Sequence, residues 1–142
     1  MTLVYLLDSD TLNLAFRGQA QVSDRISHTP YQRLYLSSIS AEEMLQGALG
    51  EINNGRTHPR VGITRPSEGL VRLIENLAKF AILPYTDEAE QYYRSLYAAV
   101  KRIGKRDARI AAHALTTDLI VVTCNTAHFQ AVPGLRLEDW SA

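Results

Sequence analysis

The sequence predicts an α/β fold, a central parallel β-sheet covered by helices on both faces in three layers. Two observations carry that prediction. Short β-prone apolar runs alternate with longer stretches of helical periodicity, and no two runs are joined by a hairpin turn. The runs at 2–7 and 119–123 are also continuously apolar rather than alternating, as strands covered on both faces must be. The 142 residues suit one domain, expected to span 1–142.

The elements follow in order. Residues 2–7 (TLVYLL) form the first strand, broken by Asp8-Ser9-Asp10. Residues 34–39 (LYLSSI) form the second. Ser40-Ala41-Glu42-Glu43 has the Ser-x-x-Glu form of a capping box, and opens a helix carrying Ala41, Met44, Leu45, Ala48, Leu49 and Ile52 at helical spacing. That helix is expected to stop near Asn53-Asn54-Gly55. Residues 53–66, with their Gly and Pro turn signals and Arg56, Arg60 and Arg65, read as a surface loop. A helix over 67–80 follows through Leu70, Leu73, Ile74, Leu77 and Ala78, then a short strand at 81–83 ended by Pro84. Thr86 is placed to cap a helix whose first turn holds Asp87 and Glu88, where the dipole favours anions. This helix is expected to reach about Arg102, with Gly104 ending it. Another runs from about Arg106 through Leu115, before the strand at 119–123 and a last edge strand at 135–137.

Composition narrows the function. With 46% hydrophobic and 21% charged residues the chain is unlike disordered, collagenous or coiled-coil sequences. It has no apolar run long enough to span a membrane, and its N-terminal apolar stretch is too short for a signal peptide. Cys124 alone can form neither an internal disulfide nor a zinc knuckle, so a cytoplasmic protein is expected. Zero net charge argues against holding nucleic acid by bulk positive charge and leaves room for a local basic groove.

In parallel sheets the working crevice lies beyond the carboxyl ends of the strands. Three acids stand there. Asp8 follows the first strand, Glu43 lies in the first turn of the helix after the second, and Asp107 heads the helix leading into the 119–123 strand. Taken singly each has a plain alternative: a turn residue for Asp8, the capping partner of Ser40 for Glu43, a dipole-complementing charge for Asp107. Yet Asp107 shares a helical face with Ile110, Ala111 and Ala114, which turns it inward. Three carboxylates in one cleft raise each other's pKa unless a cation neutralises them, and oxygen ligands of this kind suit Mg²⁺ or Mn²⁺. The histidines at 28, 58, 113 and 128 show no metal-ligand spacing; His113 and His128 are expected at the surface or beside the ligands. Lys101, Arg102, Lys105, Arg106 and Arg109 surround Asp107, either as a solvated helix end or as phosphate contacts.

These residues also carry a family resemblance. Tyr5-Leu6-Leu7-Asp8-Ser9-Asp10-Thr11-Leu12 resembles the opening strand and metal-binding turn of PIN domains. The segment from Ile39 to Gly47 resembles their second motif, in which a glutamate stands four residues before a glycine, and this selects Glu43 over Glu42. The segment Ile103-Gly104-Lys105-Arg106-Asp107, continuing to Ile110-Ala111-Ala112-His113-Ala114-Leu115, is similar to the third. Val121-Val122-Thr123-Cys124-Asn125, with His128-Phe129 and Val132-Pro133-Gly134, is similar to the closing segment of the VapC-type toxin branch.

The resemblance implies a Mg²⁺-dependent (or Mn²⁺-dependent) endoribonuclease acting on RNA, restrained by a cognate antitoxin and forming a homodimer. Asp8, Glu43 and Asp107 carry over as metal-binding acids, with Asn125 completing the catalytic set and Ser9, Asp10, Lys105 and Arg106 around it. The chain departs from the pattern at Asn125 and His128, where many members have acids, and carries Ser9 and Asp10 where Thr and Asn are common. The alternative is a non-catalytic PIN fold that binds RNA or protein. A haloacid-dehalogenase-type phosphatase, suggested by strand-Asp-x-Asp, fails because Leu12 stands where that motif needs Thr or Val. The expected homodimer face is the 87–102 helix, with Tyr92, Tyr93, Leu96, Tyr97 and Val100.

Overall fold

The computed structural model describes residues 2–142, the Tyr97 side chain excepted. Its sheet holds β1 (Tyr5–Leu7), β2 (Leu34–Ser37), β3 (Ala81–Leu83), β4 (Ile120–Val122) and β5 (Leu137–Glu138) in the order β3-β2-β1-β4-β5. Every neighbouring pair is parallel, with Leu6 set between Tyr35 and Val121. The chain winds outward from β1 first to one side and then to the other, so the switch in winding falls between β1 and β4. In sheets wound this way the working crevice is expected there, at the carboxyl ends of those strands.

The period of two along each strand divides the core. Tyr5, Leu7, Leu34, Leu36, Ile120 and Val122 face one way, against Leu12 of α1 (Ser9–Phe16), Val22 of α2 (Ala20–Ser27), Ala41 of α3 (Ser38–Thr57) and Leu77 of α4 (Thr64–Leu77). Leu6 and Val121 face the other way, against Ile110 and Ala114 of α7 (Lys105–Thr117). Outside α7 lie α5 (Asp87–Arg94), α6 (Tyr97–Ile103) and α8 (Thr126–Phe129). This is the three-layer α/β/α arrangement with a parallel sheet that the alternation of elements predicts.

Several boundaries differ, each for a local reason. Helix α3 starts after Ser37, which sits in extended conformation and accepts from the Ile39 N–H at 3.1 Å, so Ser37 is the cap. Ser40 is buried inside the helix, and Glu43 stands in its second turn rather than completing a capping box. The same helix does not stop at Asn53-Asn54-Gly55. Gly55 instead lies under the Gly62 carbonyl, where an added Cβ would collide with the oxygen, so this glycine serves close packing. The expected loop shrinks to 58–63, Arg56 and Arg65 become helical, and Pro66 falls in the first turn of α4, where its missing N–H costs nothing.

The 87–102 helix breaks at Ser95-Leu96 into α5 and α6, with Leu96 buried among Ala99, Phe129 and Val132. That break covers most of the expected association face: Leu96 is buried and Tyr93 and Val100 are half-buried, leaving Tyr92 exposed. Tyr97's side chain lies outside the described residues. Large exposed apolar side chains gather on the α3–α4 hairpin, at Leu49, Val61, Ile63, Val71 and Ile74. Among the described residues no helix is long and apolar enough to cross a membrane.

Candidate active site at the carboxyl ends of β1 and β4

Asp8 leaves β1 with its N–H bonded to the Val122 carbonyl at 3.0 Å, which ties it to β4. It then caps α1: its Oδ1 accepts from the Thr11 N–H at 2.9 Å, while the Thr11 hydroxyl donates to the same Val122 carbonyl at 3.1 Å. The result is a nearly buried carboxylate, 7% exposed, fixed at the carboxyl end of β1. Burial pushes its pKa up to about 6; hydrogen bonds from Thr123 and Thr11 oppose the rise, and the Asp10 charge adds to it. Asp8-Ser9-Asp10 reads as a break in the sequence, which hides helix α1. It is a break and a cap at once.

Glu43 reaches the crevice from α3. Its Oε1 accepts from the Ser9 hydroxyl and its Oε2 from Arg106 Nη1, both at 2.5 Å. Asp107, in the first turn of α7, meets His128 Nε2 at 3.0 Å, and the same nitrogen lies 3.2 Å from the Ile103 carbonyl. Both oxygens being acceptors, the geometry assigns the Nε2 proton to His128. The Asp107 carboxyl is raised by burial first, lowered by His128, and raised again by the charges of Glu43 and Asp10. Asp8 senses the charge of Asp10, and Asp107 senses those of Asp10 and Glu43.

The remaining expected residues divide. Asp10 is exposed on α1 facing this cluster. Asn125 is exposed just past β4; its N–H donates to the Thr123 hydroxyl at 3.0 Å, and its side chain caps no helix. Lys105 is exposed at the start of α7, and Arg106 is committed to Glu43. Arg109 turns away. It pairs with Glu90 of α5 through two bonds of 3.0 and 3.1 Å and lies 4.2 Å from the centre of the Tyr93 ring, binding α5 to α7. His113 is fully buried, contrary to expectation, with Nδ1 2.8 Å from the Ser37 hydroxyl and its ring edge-on to Tyr85. It links α7 to the residue that caps α3. His128 stands beside an acid, as expected.

Sequence reasoning missed Thr11, whose backbone N–H holds Asp8, and Thr123, whose side chain bonds to the same carboxylate. A buried threonine closing an apolar strand is the signal that could have found Thr123. A groove of about 420 Å³ runs from Ser9, Asp10 and Glu43 between α1, α3 and α4, with Met44 and Leu73 as its apolar wall and Glu51 further along.

Among the described residues no group of three or more His, Cys, Asp or Glu side chains is already gathered to hold a metal ion. Glu43 is turned to Ser9 and Arg106, and Asp107 to His128. The donor chemistry nonetheless fits a hard divalent cation. The side chains there are carboxylates, oxygen donors of the kind such a cation prefers, and burial raises the proton affinity of Asp8 and Asp107.

The family model described as PIN domain matches residues 3–135. The chain is similar to Ribonuclease VapC1 of Haemophilus influenzae, with 26% identity over 98% of this chain and 99% of the relative. It is also similar to the tRNA(fMet)-specific endonuclease VapC of Salmonella typhimurium, with 25% identity over 97% of this chain and 98% of that one. Among solved structures, the DNA-bound VapBC from Salmonella typhimurium superposes with a TM-score of 0.78 at 26% identity, covering 98% of this chain and 99% of that chain. VapBC2 from Rickettsia felis, bound to a DNA fragment from its promoter, gives 0.79 at 21% identity over 97% and 99%, a likeness of fold.

Proposed function

The chain belongs to the PIN domain family, and from that premise we propose that it is a metal-dependent endoribonuclease, the toxin of a type II toxin–antitoxin pair. The observation that carries the proposal is that Glu43 is bonded both to Ser9, next to Asp8, and to Arg106, next to Asp107, which brings acids from α1, α3 and α7 to the carboxyl side of the sheet. Full-length similarity to VapC ribonucleases supports the same reading.

Asp8, Glu43 and Asp107 would hold Mg²⁺ or Mn²⁺, with Asn125 contributing an amide in place of a fourth acid. When bound, such a cation would supply charge against the phosphoryl oxygens and would make water acidic enough to attack the phosphodiester. The chain's own residues do the positioning. Thr11 and Thr123 hold the Asp8 carboxylate, Ser9 orients Glu43, and the His128 Nε2–H fixes Asp107. Lys105, on the rim, is placed to meet an RNA phosphate. Cys124 supplies no covalent nucleophile in this scheme, its thiol being pushed up by partial burial and then by the charges of Asp8, Asp10 and Asp139.

The proposal includes an antitoxin and a second copy of the chain as partners, a cytoplasmic setting, and residues 1–142 acting as one nuclease domain. The exposed apolar side chains of the α3–α4 hairpin offer surface for association. Cleavage of RNA by the purified chain in Mg²⁺, and its loss in EDTA, tests the enzymatic core. RNA binding without cleavage in Mg²⁺ would favour the non-catalytic alternative, for which the occupied oxygens of Glu43 are the one supporting observation.

A further inference from the structure

Helix α7 carries two Arg–Glu pairs of different construction. Arg109 and Glu90 meet through two parallel N–H···O bonds, the Tyr85 hydroxyl donates to the same Glu90 at 3.0 Å, and Tyr93 lies beneath the guanidinium. That pair is a fixed strut. Arg106 and Glu43 meet through one nitrogen only, and their side chains are 49% and 32% exposed. Water reaches this pair, and a single-point contact of that kind is weak. Its position is the notable feature. Arg106 immediately precedes Asp107, and its partner is one of the acids of the cleft. Arg106 holds one oxygen of Glu43 while Ser9 holds the other.

Resting on the metal-dependent reading above, we propose that Arg106 is a resident counter-ion for Glu43, which a divalent cation must displace to engage that carboxylate. The guanidinium carries one charge, is held at one point and stays solvated. A hard divalent cation brings two charges and draws on several carboxylates at once, so exchange is favourable once Asp8 and Asp107 take part. Arg106 thereby keeps Glu43 paired in the metal-free chain and sets how much cation is needed to fill the site.

The test is cation binding without RNA. Isothermal titration of the purified chain with MnCl₂ and with MgCl₂ should show Arg106→Gln binding about two- to fivefold more tightly than the unaltered protein, the range expected for removing one exposed ion pair. Equal or weaker binding by that variant overturns the inference, while binding by the unaltered protein leaves the metal-dependent reading standing. Binding by neither protein overturns both. A second measurement needs no substitution. In chain labelled with ¹⁵N-arginine, Mg²⁺ should speed solvent exchange of the Arg106 guanidinium protons and leave those of Arg109 protected. Unchanged Arg106 exchange at saturating Mg²⁺ overturns the inference independently.

Discussion

At the scale of single residues, Asp8 carries the sharpest conflict. Its place between β1 and α1 makes it a helix cap, which suits a carboxylate, yet its burial opposes the charge. A folded-state pKa of about 6 against 3.8 means that the folded chain holds this proton more tightly than the unfolded chain does. The stability this gives is fully present below about pH 4 and is lost as pH rises through about 6. At neutral pH the ionised group therefore costs on the order of 2–3 kcal/mol. Asn keeps the capping oxygen and removes the charge. Asp8→Asn should thus melt higher than the parent in EDTA at pH 7.5, with the gain shrinking towards pH 4, while RNA cleavage is abolished. A lower melting temperature at pH 7.5, or retained cleavage, would contradict this account. Asn125→Asp should maintain or raise Mg²⁺ affinity by adding a ligand charge, as titration calorimetry can read. A clear loss would place that side chain away from the cleft.

At the scale of elements, what the sequence revealed follows from what is local. The strands are legible because a strand buried on both faces must be continuously apolar, and the strand-end rule then picked out Asp8, Glu43 and Asp107. The hidden parts depend on distant partners. Arg106 and Glu43 are 63 positions apart, and nothing in either neighbourhood announces the pair. Ser37 and Ser40 are both credible caps by type; only the end of β2 decides for Ser37. Helices α1 and α2 have eight residues each, too short for periodicity to declare them. Gly55 reads as a helix stop until Gly62 is seen above it. That contact reverses the usual sign of a substitution. Gly→Ala inside a helix ordinarily gains about 0.5–1 kcal/mol. Gly50, in the same helix with open space where a Cβ would go, should follow that rule. Gly55→Ala would press against backbone that cannot swing aside, and should cost about 1–3 kcal/mol. Thermal melts of the two variants should therefore shift in opposite directions. A shift in the same direction would refute the packing role given to Gly55.

At the scale of the whole molecule, zero net charge limits how RNA can be held. Affinity must come from a few cations on the rim of a negatively charged cleft, so few phosphates are neutralised. Each phosphate contact to a single strand contributes about −0.7 to the slope of log affinity against log salt, so a slope on the order of −2 to −3 is expected. Asp8→Asn allows the slope to be measured at fixed Mg²⁺ without cleavage. Lys105 is exposed at the head of α7, and Arg106 becomes available to phosphate if it leaves Glu43. Replacing both by Ala in the inactive background should weaken binding and flatten the slope by about one contact for each cation that was engaged. Flattening by two contacts would mean that Arg106 leaves Glu43 when RNA binds; flattening by one would leave Lys105→Ala alone to show which cation was engaged. An unchanged slope would mean that both side chains only solvate the helix end, and the phosphate path would then have to be sought on another face.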